Sequence, residues 1–207
     1  MTKDPIFYRK NITKDEISQL QVEEFEGRII VITSEQDALK AIDYLSSFES
    51  IGFDTETRPS FIKGKRYQVS LMQLSTEDTC FLFRLNIIGL SDKLADFLAD
   101  DSVKKIGLSI RDDFSSLSKR RLINPKNFVD LQTLVKKFGI EDMSLQKIYA
   151  LLFNKKISKG QRLTNWEAEI LTEPQKKYAS LDAWACLKIY NYLNNIQDEL
   201  LQDISEA

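Results

Sequence analysis

The chain has 207 residues, 43% hydrophobic and 29% charged, which suits one soluble globular domain with a full core. Its net charge of -2 excludes nucleic-acid binding by bulk positive charge, so any basic site must be local. Histidine is absent, which excludes Ser-His-Asp and Cys-His triads, His-ligated zinc and imidazole bases. The remaining chemistry must use carboxylates, Tyr, Lys or a metal ion.

Cysteine usage and the N-terminus predict the compartment. Cys80 and Cys186 stand far apart without a CxxC pair and are interpreted as two buried thiols in a reducing compartment. The segment Met1–Lys10 is charged and has no apolar core of a signal peptide, and no apolar run approaches membrane-spanning length. We therefore expect a cytoplasmic protein with no membrane partner.

The chain is predicted to form an N-terminal arm over residues 1–27 and one functional domain over residues 28–207. In the arm, Thr13 and Glu16 resemble a capping box. Strands are predicted at 28–33, 51–57, 68–75, 79–85 and 103–109, and the second, third and fourth of them form a meander. Helices are predicted from Ser34 through 45, from Ser91, and at 112–121, 129–138, 144–153 and 174–195. Along the chain the strands come mostly first and helices are interleaved later. This order indicates an α/β fold with a mixed sheet and helices on both faces.

Two carboxylates lie within the apolar strand that begins at Ile51. Residues i and i+2 of a strand share a face, so Asp54 and Glu56 point the same way while Ile51 and Phe53 point the other. Two like charges at this spacing stay ionised in a half-buried site only with a cation between them, and a divalent metal is the simplest such cation. The alternative is an exposed edge strand with solvated acids.

The last long helix carries a third carboxylate, on its apolar face. Asp182 falls at three-and-four spacing with Tyr178, Ala185 and Ile189, so it lies on the side that the helix buries. A buried carboxylate needs a partner, which is either a metal site or a salt bridge to Lys or Arg. Tyr178 precedes it by one turn and is either part of the same site or an ordinary core aromatic.

The segment Lys155–Arg162 is a basic, glycine-containing loop just before that helix. Lys159 and Arg162 are suited to bind backbone phosphates. The alternative is a solvated linker.

These residues carry a resemblance to a known family. The segments Phe53–Glu56, Lys104–Gly107 followed by Asp113, and Tyr178–Asp182 resemble the three exonuclease motifs of the DEDD superfamily of 3′→5′ exonucleases, and Tyr in the third motif resembles its DEDDy branch. The resemblance covers roughly residues 28 to 195. Two further segments are similar to the Werner-syndrome-type exonuclease domain and more loosely to ribonuclease D: Asn127–Leu131 and Arg162–Trp166.

The resemblance implies a fold, a metal site and roles for single residues. The fold would be ribonuclease H-like, with a central five-stranded mixed sheet. Two Mg²⁺ or Mn²⁺ ions would be held by Asp54, Glu56, Asp113 and Asp182. Tyr178 would orient the attacking water, and Thr55 would offer its backbone amide or hydroxyl to the terminal sugar. On a helix Asp113 aligns with Ile110 and Leu117 and faces inward, whereas Asp112 is rotated toward solvent.

The implied activity is stepwise release of nucleoside monophosphates from 3′ ends of nucleic acid, with DNA favoured over RNA. The alternatives are an RNA-processing exonuclease of the ribonuclease D type, an enzyme acting on small nucleotides or oligoribonucleotides, and a binding module that has lost catalysis on the same fold. Because the sequence ends soon after the nuclease motifs, we expect no helical accessory domain like that of ribonuclease D. Processivity and targeting are therefore expected to depend on protein partners.

Overall fold

The computed structural model describes the backbone of residues 9–205 and the side chains of residues 9–197. Residues 1–8 lie outside the described residues, and the expectation that Met1–Lys10 is not a signal peptide rests mostly on them. The helices are α1 (Lys14–Ser18), α2 (Glu35–Leu45), α3 (Leu85–Ile88), α4 (Asp92–Ala99), α5 (Ile110–Leu117), α6 (Leu131–Leu134), α7 (Leu145–Phe153) and α8 (Glu173–Ser205). The strands are β1 (Gln21–Val22), β2 (Arg28–Ile32), β3 (Ser50–Thr57), β4 (Val69–Ser75), β5 (Thr79–Phe83), β6 (Lys104–Gly107), β7 (Phe128–Asp130) and β8 (Lys155–Lys156).

Within the described residues the main sheet has six strands in the order β2-β5-β4-β3-β6-β7. Strands β3, β4 and β5 form the expected antiparallel meander. Strands β2, β6 and β7 run parallel to β5, β3 and β6, respectively. The mixed α/β architecture is confirmed, but the sheet has one strand more than the five predicted.

The additional strand is β7. For this segment the sequence predicts instead a helix that begins at Val129. The Asp130 carboxylate accepts a hydrogen bond from the backbone N–H of Gln132 at 2.9 Å, so it caps α6, and the helix begins only at Leu131. The three residues before the cap stay extended and pair with β6. Phe128 and Val129 are typical strand formers, and periodicity cannot assign so short an apolar run to a helix or a strand.

The sheet separates two apolar cores. One core lies between the sheet and helices α6, α7 and α8, and it includes Ile106, Leu131, Ile148 and Leu187. The other lies between the sheet and helices α2, α4 and α5, and it includes Ala41, Phe53, Phe97 and Leu117. Helices thus cover both faces, as the order of elements along the chain predicts.

Helix α8 packs directly onto strand β3. A Cβ atom at Gly52 would lie 1.9 Å from the backbone oxygen of Ala183, so only glycine permits this approach. Asp182 precedes Ala183, and Asp54 lies two residues beyond Gly52 on the same face of β3. The close packing of these two elements therefore brings the first and third motifs together.

Helices α5 and α8 differ in length from the prediction. Helix α5 ends at Leu117, so the basic residues 119–121 follow the helix and do not extend it. Helix α8 continues to Ser205, beyond the predicted end near residue 195. In the part of the chain that the structure describes, no helix combines the length and apolarity needed to cross a bilayer.

The described part of the N-terminal arm packs on the domain. The predicted capping box of Thr13 and Glu16 is present at the start of α1, and Ile17 packs against Ala150 of α7. Strand β1 pairs in parallel with β8. The carboxylate of buried Glu23 accepts hydrogen bonds from the arm's neighbours in the domain: Tyr149, Lys155 and Lys188. A boundary between residues 27 and 28 stays a prediction.

Candidate active site

Asp54 and Glu56 lie on the face of β3 that α8 covers. Alternate residues of a strand face opposite sides, and Ile51 and Phe53 are buried in the core on the other side. Strand β3 pairs with β4 on one side and β6 on the other, so it is an interior strand. This excludes the alternative of an exposed edge strand with solvated acids.

Asp182 joins these two carboxylates from α8. One oxygen of each of Asp54, Glu56 and Asp182 lies within 4.8 Å of the others. Among the described side chains, none of the ion pairs involves these three residues. The structure thus groups the acids of the first and third motifs with one another instead of giving Asp182 a salt bridge.

The three carboxylates carry strongly shifted pKa values. Burial, followed by the charges of Asp182 and Asp113, raises the pKa of Glu56 to about 9. Burial likewise raises the pKa of Asp182 to about 7 and the pKa of Asp54 well above its usual range. Carboxylates held in this way bind protons unless a cation neutralises them. Because hard divalent cations prefer oxygen ligands in such number and spacing, the residues fit the predicted metal site.

Asp113 on α5 lies beside this group but outside it. Its carboxylate accepts a hydrogen bond from the Thr55 hydroxyl, and burial raises its pKa to about 7. The charge of Asp113 raises the pKa of both Asp54 and Glu56, so Asp113 interacts electrostatically with two members of the group. Asp112 is exposed. The structure therefore orients the two neighbouring aspartates as the helical register predicts.

The start of α5 depends on Asp130, a residue to which sequence reasoning gave no role. The Asp130 carboxylate accepts hydrogen bonds from the backbone N–H groups of Ser109 at 3.1 Å and Ile110 at 3.3 Å. Ser109 adopts a left-handed conformation with φ 60°, which is uncommon outside glycine. The available signal was an Asp directly before Leu131 and Gln132, a pattern typical of a helix N-cap.

Tyr178 lies one turn before Asp182 on α8 and is half-buried. Burial raises the pKa of its phenol above the usual range, and the charges of Asp182 and Glu56 and a hydrogen bond to Asp182 act in the same direction. The hydroxyl therefore stays protonated and can donate a hydrogen bond. Its position beside the carboxylates favours a role in the site over that of a simple core aromatic.

The carboxylates open into a cavity of about 440 Å³. Thr55, Tyr178, Lys159 and Arg162 line it, so the structure brings the predicted substrate contacts to the carboxylates. The charge of Arg162 lowers the pKa of Glu56, and that of Lys159 lowers the pKa of Asp182. The wall contributed by α6 and the start of α7 was not predicted, because nothing in its residue types distinguishes it: Gln132, Ser144 and Gln146.

Thr55 differs in one respect from the role inferred for it. Its hydroxyl donates a hydrogen bond to Asp113, and a hydrogen bond from its backbone N–H lowers the pKa of Asp54. A contact of either group with a terminal sugar stays a prediction.

Comparison with known proteins identifies relatives along nearly the whole chain. A family model described as 3′-5′ exonuclease matches residues 29–198. The bifunctional 3′-5′ exonuclease/ATP-dependent helicase WRN of Mus musculus is 30% identical over 207 residues, which covers 95% of this chain and 15% of that protein. Exonuclease 3′-5′ domain-containing protein 2 of Drosophila melanogaster is 33% identical over 178 residues, or 81% of this chain and 30% of that protein. The chain thus spans only a minor part of these relatives' length.

Solved structures share the fold. The Aedes aegypti Nibbler EXO domain matches with a TM-score of 0.76 at 24% identity, over 87% of this chain and 93% of that chain. Escherichia coli RNase D matches with a TM-score of 0.72 at 22% identity, over 84% of this chain and 46% of that chain. These neighbours confirm a ribonuclease H-like fold. Because the family model matches most of the sequence, the chain belongs to the 3′-5′ exonuclease family of the DEDD superfamily.

Proposed function

We propose that this protein is a metal-dependent 3′→5′ exonuclease that releases nucleoside monophosphates from nucleic acid 3′ ends by phosphodiester hydrolysis. The observation that carries the proposal is the group of Asp54, Glu56 and Asp182, whose oxygens lie within 4.8 Å of one another. Family membership supports the same activity. The binding-module alternative is disfavoured because all four acids and the tyrosine are present.

The proposed cofactor is a pair of Mg²⁺ or Mn²⁺ ions. The residues that would hold the ions are the grouped acids Asp54, Glu56 and Asp182 together with the neighbouring Asp113. When bound, such ions activate a water and neutralise the charge that develops on the phosphate. The raised pKa values support the assignment, because a cation would take the place of the bound protons.

The chain's own residues would position the substrate and the water. Tyr178 keeps its proton, so it would orient the attacking water as a hydrogen-bond donor or acceptor and would not serve as a base. Lys159 and Arg162 line the same cavity and would bind the non-bridging oxygens of the phosphate. Thr55 would contact the terminal sugar through its backbone amide or its hydroxyl.

DNA is the proposed leading substrate, supported by the Werner-type resemblance and the 30% identity to the Mus musculus WRN protein. The second candidate is RNA, since Escherichia coli RNase D, a fold neighbour, is described as an exoribonuclease involved in structured RNA processing. Protein partners for targeting and a cytoplasmic location are proposed as well. The two cysteines are free and buried, which supports a reducing compartment.

The test uses oligonucleotides that differ only in their sugars and carry the label at either end. We expect loss of 3′-terminal monophosphates in Mg²⁺ or Mn²⁺, none in chelator, and faster cleavage of DNA. Asp182→Asn serves as the inactive control. Release from the 5′ end, or activity of Asp182→Asn in excess chelator, would overturn the proposal; faster cleavage of RNA would select the second candidate.

A further inference from the structure

A second cavity adjoins the active-site cavity on the side of the N-terminal arm. It has a volume of about 630 Å³ and lies between α1 and the basic loop. We call it the arm groove; its walls include Lys14, Ile17 and Ser18 of α1 and Lys156, Lys159 and Arg162 of the domain. Lys159 and Arg162 also line the active-site cavity, so the two cavities are continuous at these side chains.

The arm groove is strongly basic in a chain whose net charge is -2. Four cationic residues line it, and no carboxylate is among its described lining residues. Of the two acids of α1, Glu16 accepts a hydrogen bond from Arg9 at 2.6 Å and Asp15 is exposed, and neither lines the groove. The lining is therefore net positive. It adjoins a cavity for a terminal phosphodiester, and such a surface suits a polyanion.

The two walls of the groove are held in a fixed relation. The Lys156 ammonium donates to the backbone oxygen of Ser18 at 2.6 Å, which leaves two of its protons for a ligand. The backbone N–H of Glu23 donates to the backbone oxygen of Lys156 at 2.9 Å and extends the pairing of β1 with β8. The buried Glu23 carboxylate also binds Lys155 at 2.9 Å. A groove ordered in advance loses less entropy when it binds a ligand.

We propose that the arm groove binds the backbone phosphates of the nucleotides that precede the 3′-terminal residue, which makes the N-terminal arm part of the substrate-binding surface. The inference rests on the proposed function, since the terminal nucleotide must occupy the active-site cavity. From there the strand continues past Lys159 and Arg162 toward Lys14. The occupant is a single strand, recognised by its phosphates without regard to sequence.

The test is the effect of Lys14→Glu on binding as a function of strand length. The matched control is Lys93→Glu, which changes another exposed lysine in the first turn of α4, on the opposite side of the sheet. An acid in the first turn suits the helix dipole, so neither change should harm its helix. Folding is checked by thermal melting, and Lys14→Ala should act in the same direction with a smaller effect.

The probes are a fluorescein-labelled oligodeoxythymidylate of roughly a dozen nucleotides and a labelled dinucleotide, both measured by anisotropy in chelator. We expect Lys14→Glu to weaken binding of the long strand by about tenfold and to reduce the slope of log Kd against log salt by about 0.7 per lost phosphate contact. Binding of the dinucleotide should change by less than about twofold, and Lys93→Glu should match the wild type for both probes.

Three results would overturn the proposal: an equal loss for both probes, no loss for either, or the same loss in Lys93→Glu. A wild-type protein that binds the long strand no more tightly than the dinucleotide would also overturn it. Because these measurements need no cleavage, they remain decisive even if both probes resist hydrolysis in Mg²⁺ and Mn²⁺. Such resistance would count against the exonuclease proposal alone.

Discussion

The Thr55 hydroxyl donates a hydrogen bond to the Asp113 carboxylate and so joins strand β3 to helix α5 beside the other acids. Thr55 lies between Asp54 and Glu56 in sequence, but it faces the opposite side of the strand. Asp113 therefore approaches the group of three carboxylates from the side of β3 that α8 does not cover. The first motif thus supplies two carboxylates of the proposed metal site and also Thr55, which hydrogen-bonds the acid of the second motif.

This relationship predicts different effects for the two neighbouring aspartates. Asp113→Asn should lower kcat/KM at least about 100-fold, because the buried acid beside Asp54 and Glu56 loses its charge. Asp112→Asn should leave most activity, because Asp112 is exposed. Metal-dependent cleavage of a 3′-labelled strand checks both variants. The reverse order would move the ligand role to Asp112.

Removal of the Thr55 hydroxyl tests the orienting contact itself. Thr55→Val keeps the shape of the side chain and its backbone amide but loses the donor to Asp113. We expect activity or metal affinity to fall by about 10- to 100-fold, the usual effect of losing a hydrogen bond to a metal ligand. Thr55→Ser restores the donor and should recover most of the loss. Equal activity of Thr55→Val and wild type would contradict the role.

The stability of the metal-free protein should depend on pH through the buried acids. The pKa of Glu56 is raised to about 9, so the folded state binds more protons than the unfolded state above the unfolded pKa of about 4.3. The free energy of unfolding should therefore fall as pH rises from about 5 to 9. Glu56→Gln removes one titrating group and should flatten this decline.

Thermal melting in chelator across that pH range gives the measurement. Addition of Mn²⁺ should raise Tm, and by more at high pH, since the ion competes with protons for the same oxygens. Asp37→Asn is the matched control on α2, because hydrogen bonds from Ser34 and Lys40 lower the pKa of that exposed acid. A metal-free protein that becomes more stable with rising pH would contradict the expectation.

The residues of the candidate site could be predicted from the sequence because each is marked by a pattern within one strand or one helix. The alternation around Asp54 is a property of one strand, and the three-and-four spacing around Asp182 is a property of one helix. The order of the motifs along the chain carries the family resemblance. Strand β7 was missed because the capping of α6 by Asp130 outweighs the apolar periodicity of the preceding residues. The arm groove was also missed, since it depends on the pairing of β1 with β8, two elements far apart in sequence.

Tyr178→Phe should lower kcat by about 100-fold and change KM little, since the hydroxyl is assigned to the attacking water. The phenol lies beside Asp182 and keeps its proton because burial raises its pKa. Phe preserves the packing against Trp166, whose ring centre lies 6.1 Å from that of Tyr178. Steady-state kinetics on a single-stranded substrate checks the change. A Phe variant with unchanged kcat would leave Tyr178 as a packing residue.

Asp130 should control the position of Asp113 without touching it. Its carboxylate accepts hydrogen bonds from Ser109, Ile110 and Gln132, and so fixes both the start of α5 and the cap of α6. Asp130→Ala should cost about 1 kcal/mol for the lost cap, and more for the two other unpaired N–H groups. Activity should fall by more than the loss of folded protein explains, because α5 carries Asp113.

A second change distinguishes this mechanism from general destabilisation. Ser109 holds φ 60°, a conformation that costs an L-residue about 1 to 2 kcal/mol and glycine little. Ser109→Gly in the Asp130→Ala background should therefore recover stability, but it should not recover activity, because glycine does not restore the acceptor that orients α5. Melting curves and single-turnover cleavage measure the two effects separately. Joint recovery of both would show that Asp130 acts through stability alone.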